Sequence, residues 1–267
     1  MLSLTPLARP TAPLSRRNPV AKLAAATLIS AAALIATDAL TPALLLAAEL
    51  AALPFCGIRP GALLRRSWVL IVSALGLAAV NMVFAANQTG PVIVDFGPLE
   101  IRHSALFTAL ALGLRALTFG MTGILVFATT DPTDLADSLV QQLRFPARFA
   151  IGSLAAFRMM PLLITEWQLI TMARRARGVD AGKNPLKRLS LFLSTMFALL
   201  VGAIRRGTRL ATAMDARGFD SGIPRTIARP QHMRTADWAL ILGTALVTAG
   251  AITVSVATGT FTTLVSG

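Results

Sequence analysis

The sequence predicts an all-α integral membrane protein with about five transmembrane helices and a cytoplasmic domain of about three long helices. Its 267 residues are 55% hydrophobic and only 14% charged, and the mean hydropathy is +0.68. A soluble domain carries about 25% charged residues, so this composition is typical of a protein embedded in lipid. Several apolar runs also approach the roughly 20 residues that a helix needs to cross a bilayer.

The predicted transmembrane helices are apolar stretches close to the length of one membrane crossing. They cover residues 20–37, 41–57, 67–87, 104–128 and 237–257. The first two are short and are separated only by a tight turn, which predicts a helical hairpin. The linker after the third stretch, at 86–103, is long and contains Gly-Pro-type breakers, which favour a loop.

The basic residues of the loops alternate from one side of these helices to the other. Four lie before or at the first stretch, three in the 58–66 loop and one in the 88–103 loop. Segment 129–236 holds sixteen basic and seven acidic residues, so it carries +9 of the net charge of +13. Because positively charged loops stay in the cytoplasm, the N-terminus and segment 129–236 are predicted to be cytoplasmic and the C-terminus to lie outside.

This alternation divides the chain into four parts. A cytoplasmic N-terminal tail covers 1–19, four transmembrane helices cover 20–128, cytoplasmic or interfacial helices cover 129–236, and a C-terminal transmembrane helix covers 237–267. The N-terminus also has the charged and apolar regions of a secretory signal, so its processing stays open. With a single cysteine, Cys56, no disulfide can form within the chain.

Segment 129–236 contains the start signals of three helices. Thr130 or Asp131 can cap the first, with Pro132 at its first helical position. The second is predicted from about 147 to 177, and the third starts after Asn184 and runs to about 217. We interpret these two long helices as lying in or under the cytoplasmic interface, with one apolar face and basic ends.

Four polar or helix-breaking positions are candidates for a structural or coupling role. Arg158, Pro161 and Glu166 lie in the second of these helices and make it a poor membrane span. Arg115 lies near the middle of the fourth apolar stretch, where a charge is a functional candidate by default. Glu166 is expected to pair within the helix bundle.

One pattern occurs twice, as ARRARGVD at 173–180 and AMDARGFD at 213–220, forty residues apart. The shared centres are Ala176, Arg177 and Gly178, and Ala216, Arg217 and Gly218. Each copy is predicted to end a long helix, because glycine fits the left-handed position after a helix and a cation favours the last turn. The alanines keep each tip slim, and a guanidinium there can hold a carboxylate in a bidentate pair. Two matched tips favour a two-fold or pseudo-two-fold partner.

With these motifs the chain resembles the transmembrane T component of energy-coupling factor (ECF) transporters, the ATP-driven importers of vitamins and transition metals (EcfT, CbiQ and BioN). The resemblance covers nearly the whole chain. The stretches NPVAKL (18–23), TTDPTDLADSLVQQLRFPARFA (129–150) and AFRMMP (156–161) are similar to family elements in the same order. The two Ala-Arg-Gly copies are the most diagnostic feature, because they recur at this spacing on the predicted cytoplasmic side.

The resemblance implies a non-catalytic subunit of an ATP-dependent transporter complex. In the family the two Ala-Arg-Gly ends lie on crossed coupling helices, and each docks into a groove on one of two ATPase subunits, which bind ATP and magnesium. By position that role falls on residues 176–178 and 216–218. A separate small substrate-binding membrane subunit, the S component, carries the solute and sets specificity. The T component itself would hold no cofactor.

The remaining polar residues argue against several other sites. The Gly182-Lys183 pair lacks the spacing of a phosphate-binding loop, so the ATPase is expected on a partner. The two histidines, His103 and His232, fall on opposite faces of the membrane in this topology and cannot share a metal ion. The basic charge follows the inside loops without interleaved aromatics, which argues against nucleic-acid binding.

Two other functions remain open from the residues alone. A permease that carries its own substrate would place Arg115 in the transport path. A structural protein that holds anionic lipid through its basic helices would weaken gradually as charges are removed. The coupling function instead predicts a sharp loss at Arg177 and Arg217.

Overall fold

The computed structural model describes residues 12–58, 60–84, 92–95, 100–179, 182, 184–219, 227 and 229–260. This part of the chain forms eight α-helices and one antiparallel hairpin of two short strands. The helices are α1 (Pro19–Ile35), α2 (Leu40–Cys56), α3 (Pro60–Phe84), α4 (His103–Thr129), α5 (Pro132–Gln142), α6 (Ala147–Ala176), α7 (Pro185–Ala216) and α8 (Thr235–Ala257). The strands are β1 (Val92–Asp95) and β2 (Glu100–Arg102). The prediction of an all-α membrane protein is confirmed, and the hairpin is a local exception in the linker that the sequence predicts as a loop.

The chain divides into two compact units. The first unit comprises residues 1–143 and 231–267, and its described part contains α1 to α5, the hairpin and α8. The second comprises residues 144–230 and contains α6 and α7. The helix α5 therefore belongs with the first unit, although it lies within the predicted segment 129–236.

Three helices begin at an Asn or Asp that is followed by proline. The capping side chains accept backbone hydrogen bonds, from Val20 to Asn18 (2.9 Å), from Thr133 to Asp131 (2.7 Å) and from Leu186 to Asn184 (3.0 Å). Proline at the next position loses nothing, since the first amides of a helix have no partner within it. The predicted starts of α5 and α7 are confirmed.

In the first unit, α4 packs against α1, α2 and α3, while α8 packs against α1 and α2. Small residues allow the close approach of α3 and α4. A Cβ atom added at Gly120 would lie 2.2 Å from Cδ1 of Leu70, so no larger residue fits without displacing that side chain. Buried alanines, including Ala33 in α1 and Ala251 in α8, serve the same purpose at the other contacts.

Five described helices contain segments long and apolar enough to cross a membrane by length and composition. The segments are Ser67–Phe84, Ser104–Thr129, Ala147–Ala176, Pro185–Ala216 and Thr235–Ala257. The sequence also predicts five spans, but the two sets differ. The five candidates here include α6 and α7 and leave out α1 and α2, which have 17 residues each. A helix of that length rises roughly 26 Å, close to the roughly 30 Å of a hydrocarbon core. The chain is a multi-pass membrane protein, and which of these helices cross stays a prediction.

Candidate functional site

The first Ala-Arg-Gly copy forms a complete helix end. The helix α6 finishes at Ala176, Arg177 is the C-cap, and Gly178 adopts a left-handed φ of +72°. The amide of Gly178 donates to the carbonyl of Arg175 at 2.9 Å, and the amide of Val179 donates to that of Arg174 at 2.9 Å. These two bonds define a Schellman motif, which satisfies carbonyls that a helix end otherwise leaves free.

The second copy repeats this geometry in α7. Arg217 is the C-cap and Gly218 has the same φ of +72°. The amide of Gly218 donates to the carbonyl of Asp215 at 2.9 Å, and the amide of Phe219 donates to that of Met214 at 3.0 Å. Both predicted helix ends are therefore confirmed, with equivalent residues in equivalent roles.

Both tips are open to their surroundings. The shared central residues of the two copies are all exposed: Ala176, Arg177 and Gly178, and Ala216, Arg217 and Gly218. A Cβ atom at Gly178 would meet nothing within 4 Å, so its left-handed backbone, and not lack of space, is the reason for glycine. Each tip thus presents a guanidinium next to a narrow backbone, an arrangement suited to binding an acidic groove.

The helices α6 and α7 contact each other through polar and aromatic side chains. Glu166 forms an ion pair with Arg206, and the rings of Trp167 and Phe192 lie edge to face with centroids 5.4 Å apart. Glu166 contacts Arg206 in the last third of α7, whereas the later residue Arg174 contacts Ser194 in its first third. The two helices therefore run in opposite directions. The expected pairing of Glu166 within the bundle is confirmed.

Arg174 makes a cluster of hydrogen bonds that sequence reasoning missed. Its Nη1 donates to the carbonyl of Leu191 at 3.1 Å and to the hydroxyls of Ser194 and Thr195, each at 2.7 Å. These bonds join the last turn of α6 to the body of α7. The sequence signal was the pair of hydroxyl residues in an otherwise apolar run, but their partner depends on how the helices cross.

Arg158 and Pro161 do not join this contact. Both are exposed on α6, and the side chain of Arg158 makes no hydrogen bond with the described residues. The carbonyl of Pro161 accepts a bond from the Thr165 hydroxyl at 3.0 Å, within the same helix. Of the four structural or coupling candidates, only Glu166 lies at the junction of α6 and α7.

Arg115 lies instead at the turn between α1 and α2. It is half-buried, and its Nη2 donates to the carbonyl of Ala36. Beside this turn, one carboxylate oxygen of Asp38 accepts bonds from the amide of Thr41 (2.7 Å), its hydroxyl (2.9 Å) and the hydroxyl of Ser255 (2.7 Å). Arg115 and Asp38 therefore tie α4 and α8 to the α1–α2 turn, which gives Arg115 a structural contact.

The NPVAKL stretch ties together the other ends of these helices. Lys22 is only 4% exposed, and its ammonium donates to the carbonyls of Ser15 at 3.2 Å and Thr129 at 2.6 Å. The amide of Asn18 donates to the Asp237 carboxylate at 3.1 Å. Sequence reasoning counted Lys22 among the basic residues at the first apolar stretch and placed it in the NPVAKL element. It did not identify the contact with Thr129, which is 107 positions away.

A cavity of about 350 Å³ lies between α1, α2, α4 and α8. Its lining is mostly apolar but includes Lys22 and Glu49, which accepts a hydrogen bond from the Thr122 hydroxyl. Within the described ranges, no group of three His, Cys, Asp or Glu side chains lies close enough to hold a metal ion.

Comparison with known proteins places the chain in a family. The family described as cobalt transport protein (CbiQ) matches residues 10–228. The energy-coupling factor transporter transmembrane protein EcfT of Exiguobacterium sibiricum is 33% identical over 164 residues, which are 58% of this chain and 62% of that protein. EcfT 1 of Listeria monocytogenes is 29% identical over 220 residues, which are 79% of this chain and 82% of that protein. EcfT of Bacillus subtilis is 30% identical over 148 residues, which are 52% of this chain and 56% of that protein.

The family match includes α1 to α7 and both Ala-Arg-Gly ends. The matched region spans less than two thirds of the Exiguobacterium and Bacillus proteins, at 62% and 56% of their lengths. The chain belongs to the CbiQ family, the transmembrane T components of energy-coupling factor transporters.

Proposed function

We propose that this chain is the transmembrane coupling subunit of an ATP-driven ECF-type importer of a vitamin or a transition metal ion. One observation carries the proposal: two exposed Schellman ends, forty residues apart, present an arginine and a slim alanine in the same geometry. A helix end needs neither alanine nor two matching copies for its stability. Duplicate tips are instead suited to a partner with two similar grooves.

Each tip would dock into one of two ATPase subunits, as a homo- or heterodimer. The exposed guanidiniums of Arg177 and Arg217 would each donate two parallel hydrogen bonds to a carboxylate of the groove. The small residues on either side would let the groove close around the tip. ATP and magnesium would be bound by these partners, and this chain would supply no cofactor.

The apolar faces of α6 and α7 would carry the S component. Large hydrophobic residues are exposed along both helices, including Leu162, Leu169, Phe197 and Leu200. An apolar surface of this extent is suited to lipid or to another membrane protein. Movement of the two docked tips would then be transmitted through α6 and α7 to the subunit that binds the solute.

The proposed orientation follows from the distribution of positive charge. The N-terminus and segment 129–236 would face the cytoplasm, where the ATPases are, and the C-terminus would face outside. Single cysteines introduced at the exposed Arg188 and at Thr258 in a Cys56→Ala chain would test this. A membrane-impermeant thiol reagent should label position 258 in intact cells and position 188 only after permeabilisation, and the reverse pattern would contradict the orientation.

The docking proposal is tested by charge reversal at both tips. The tagged chain is purified gently from its native membranes, and the proteins that accompany it are identified. The double variant Arg177→Glu/Arg217→Glu is compared with Arg188→Glu/Arg209→Glu, which changes the same charge at exposed positions away from the tips. We expect the unaltered chain and the control to bring two ATPase subunits and a small hydrophobic protein, and the tip variant to lose the ATPases by at least about tenfold.

The opposite results have a clear meaning. If no ATPase accompanies the unaltered chain, or if it persists in the tip variant, the two copies are helix ends and nothing more. If the control loses the ATPase to the same degree, general charge and not the tips holds the partner. The small hydrophobic protein, once identified, would name the class of solute.

A further inference from the structure

The forty-residue relation between α6 and α7 extends beyond the two tips. Glu166 lies eleven residues before the C-cap Arg177, and Arg206 lies eleven residues before the C-cap Arg217. These two equivalent residues form the ion pair between the helices. When two related helices touch at equivalent positions, the contact lies on the axis that relates them. The Glu166–Arg206 pair therefore marks the pseudo-two-fold axis of α6 and α7.

The surroundings of the pair leave space for it. Gly202 lies one turn before Arg206 in α7. A Cβ atom added there would lie 3.5 Å from Oε1 of Glu166 and 3.6 Å from Nη2 of Arg206, which is ordinary contact. A branched or longer side chain would occupy the volume in which the carboxylate and guanidinium meet. Arg206 also donates from Nε to the carbonyl of Gly202 at 3.4 Å, which holds the guanidinium against its own helix.

We propose that Glu166 and Arg206 form the pivot that sets the angle between α6 and α7, and so the separation of the two Arg-Gly tips. Its importance for transport rests on the proposed coupling function, but its geometry does not. Eleven residues at 1.5 Å each place a tip roughly 16 Å from the pivot. A change of about 20° in the angle would then move one tip by roughly 6 Å relative to the other helix.

An ion pair suits a pivot better than an apolar contact does. Both side chains are one-third exposed, so the pair contributes little to the free energy of unfolding. It prescribes which residue of α6 faces which residue of α7, and together with the bonds of Arg174, eight residues further along α6, it fixes the angle between the helices. The expected consequence of breaking the pair is therefore a change in the geometry of the tips, without unfolding.

The test measures the distance between equivalent points near the tips. Spin labels are attached at Met172→Cys and Thr212→Cys, which are exposed and lie forty residues apart, each five residues before its C-cap. The full chain carries Cys56→Ala and is reconstituted in lipid nanodiscs without ATPase. The distance distribution is recorded by pulsed electron spin resonance.

Four variants are compared in this background. Glu166→Gln and Arg206→Gln each remove one charge, Glu166→Arg/Arg206→Glu exchanges the charges, and Arg205→Gln is the neighbouring exposed control. Loss of the pair frees the register of the two helices as well as their angle, and a slip of one helical turn would change the label separation by about 5 Å. We therefore expect each single variant to shift the mean distance by at least about 3 Å, or to broaden its distribution to that extent. The exchanged pair should restore the original distribution to within about 1 Å, and the control should not change it.

Two results would overturn the pivot. Unchanged distances in both single variants would show that the pair does not set the angle, and shifted distances that the exchange fails to restore would show that the ion pair is not the cause. If a single variant fails to fold, Gly202→Leu replaces it, because it keeps both charges and separates them sterically.

Failure of the pivot is distinguishable from failure of the proposed function. The distances are measured on the chain alone, whereas docking is measured by ATPase retention in the Arg177/Arg217 variant. Shifted distances without ATPase binding would keep the pivot and contradict docking. Unchanged distances, together with ATPase retention by the unaltered chain and its loss in the Arg177/Arg217 variant, would contradict the pivot and keep docking.

Discussion

Replacing Gly178 with alanine separates the backbone requirement of the first tip from the role of its arginine. The residue has a φ of +72°, and a Cβ atom there would meet nothing within 4 Å, so the added methyl group causes no collision with a neighbour. The cost is that of placing an L-residue in the left-handed region, about 1–2 kcal/mol. Because 1.4 kcal/mol is a factor of ten, the end of α6 should open roughly 5 to 30 times more often.

Amide hydrogen exchange is the suitable assay, since it reports local opening. The amides of Gly178 and Val179 donate the two bonds of the Schellman motif, each at 2.9 Å. In Gly178→Ala, the peptide that covers these amides should exchange roughly 5 to 30 times faster than in the unaltered chain. The rest of α6 should keep its protection.

A matched control lies in the same helix. Gly152 is in the interior of α6, and a Cβ atom there also meets nothing within 4 Å. Gly152→Ala should slow exchange in α6, since alanine is favoured over glycine in a helix by about 1 kcal/mol. The same glycine-to-alanine substitution thus destabilises the helix at position 178 and stabilises it at position 152, because only Gly178 has a left-handed backbone. If the peptide that covers the end of α6 exchanges equally fast in Gly178→Ala and in the unaltered chain, the left-handed helix end is refuted.

Three further substitutions test other contacts. Lys22→Met removes two bonds from a buried ammonium to carbonyls, so thermal unfolding in detergent should show a loss of about 2–4 kcal/mol; an unchanged transition would contradict the buried contact. Arg174→Met removes three hydrogen bonds that hold α6 against α7, so amide hydrogen exchange in the last turn of α6 should become roughly ten times faster. An unchanged exchange rate would mean that these bonds do not form. Gly120→Ala forces a Cβ against Leu70 and should cost about 1–3 kcal/mol by thermal unfolding, whereas Gly123→Ala, with nothing within 4 Å, should not.

Much of the secondary structure could be predicted because its causes are local. Asp131 and Asn184 accept hydrogen bonds from amides two residues later, so the cap and the following proline specify the start of a helix from a few adjacent residues. The glycines at 178 and 218 act in the same way at the ends. The predicted bounds of about 147–177 and about 217 for the end of the next helix therefore agree with α6 and α7 to within one residue.

The linker at 86–103 shows where local signals were insufficient. Gly-Pro breakers favour a loop, but residues 92–95 and 100–102 pair as antiparallel strands. Strand pairing depends on which segments meet as much as on composition, and short strands have weak sequence signals. Local signals also leave the choice of spans undecided, because α1 and α2 are apolar but slightly short, whereas α6 and α7 are apolar and longer than one crossing needs.

The sequence by itself determined the membrane class, the helices, both Arg-Gly ends and the family to which they belong. Each of these depends on composition or on residues a few positions apart. The tertiary structure decided the partners of the charged residues: Glu166 with Arg206, and Lys22 with the carbonyl of Thr129. Those pairs are separated by 40 and 107 positions, and only the packing of helices brings them within hydrogen-bonding distance. The sequence thus gives the chemistry of each side chain, but its partner depends on which helix faces pack against each other.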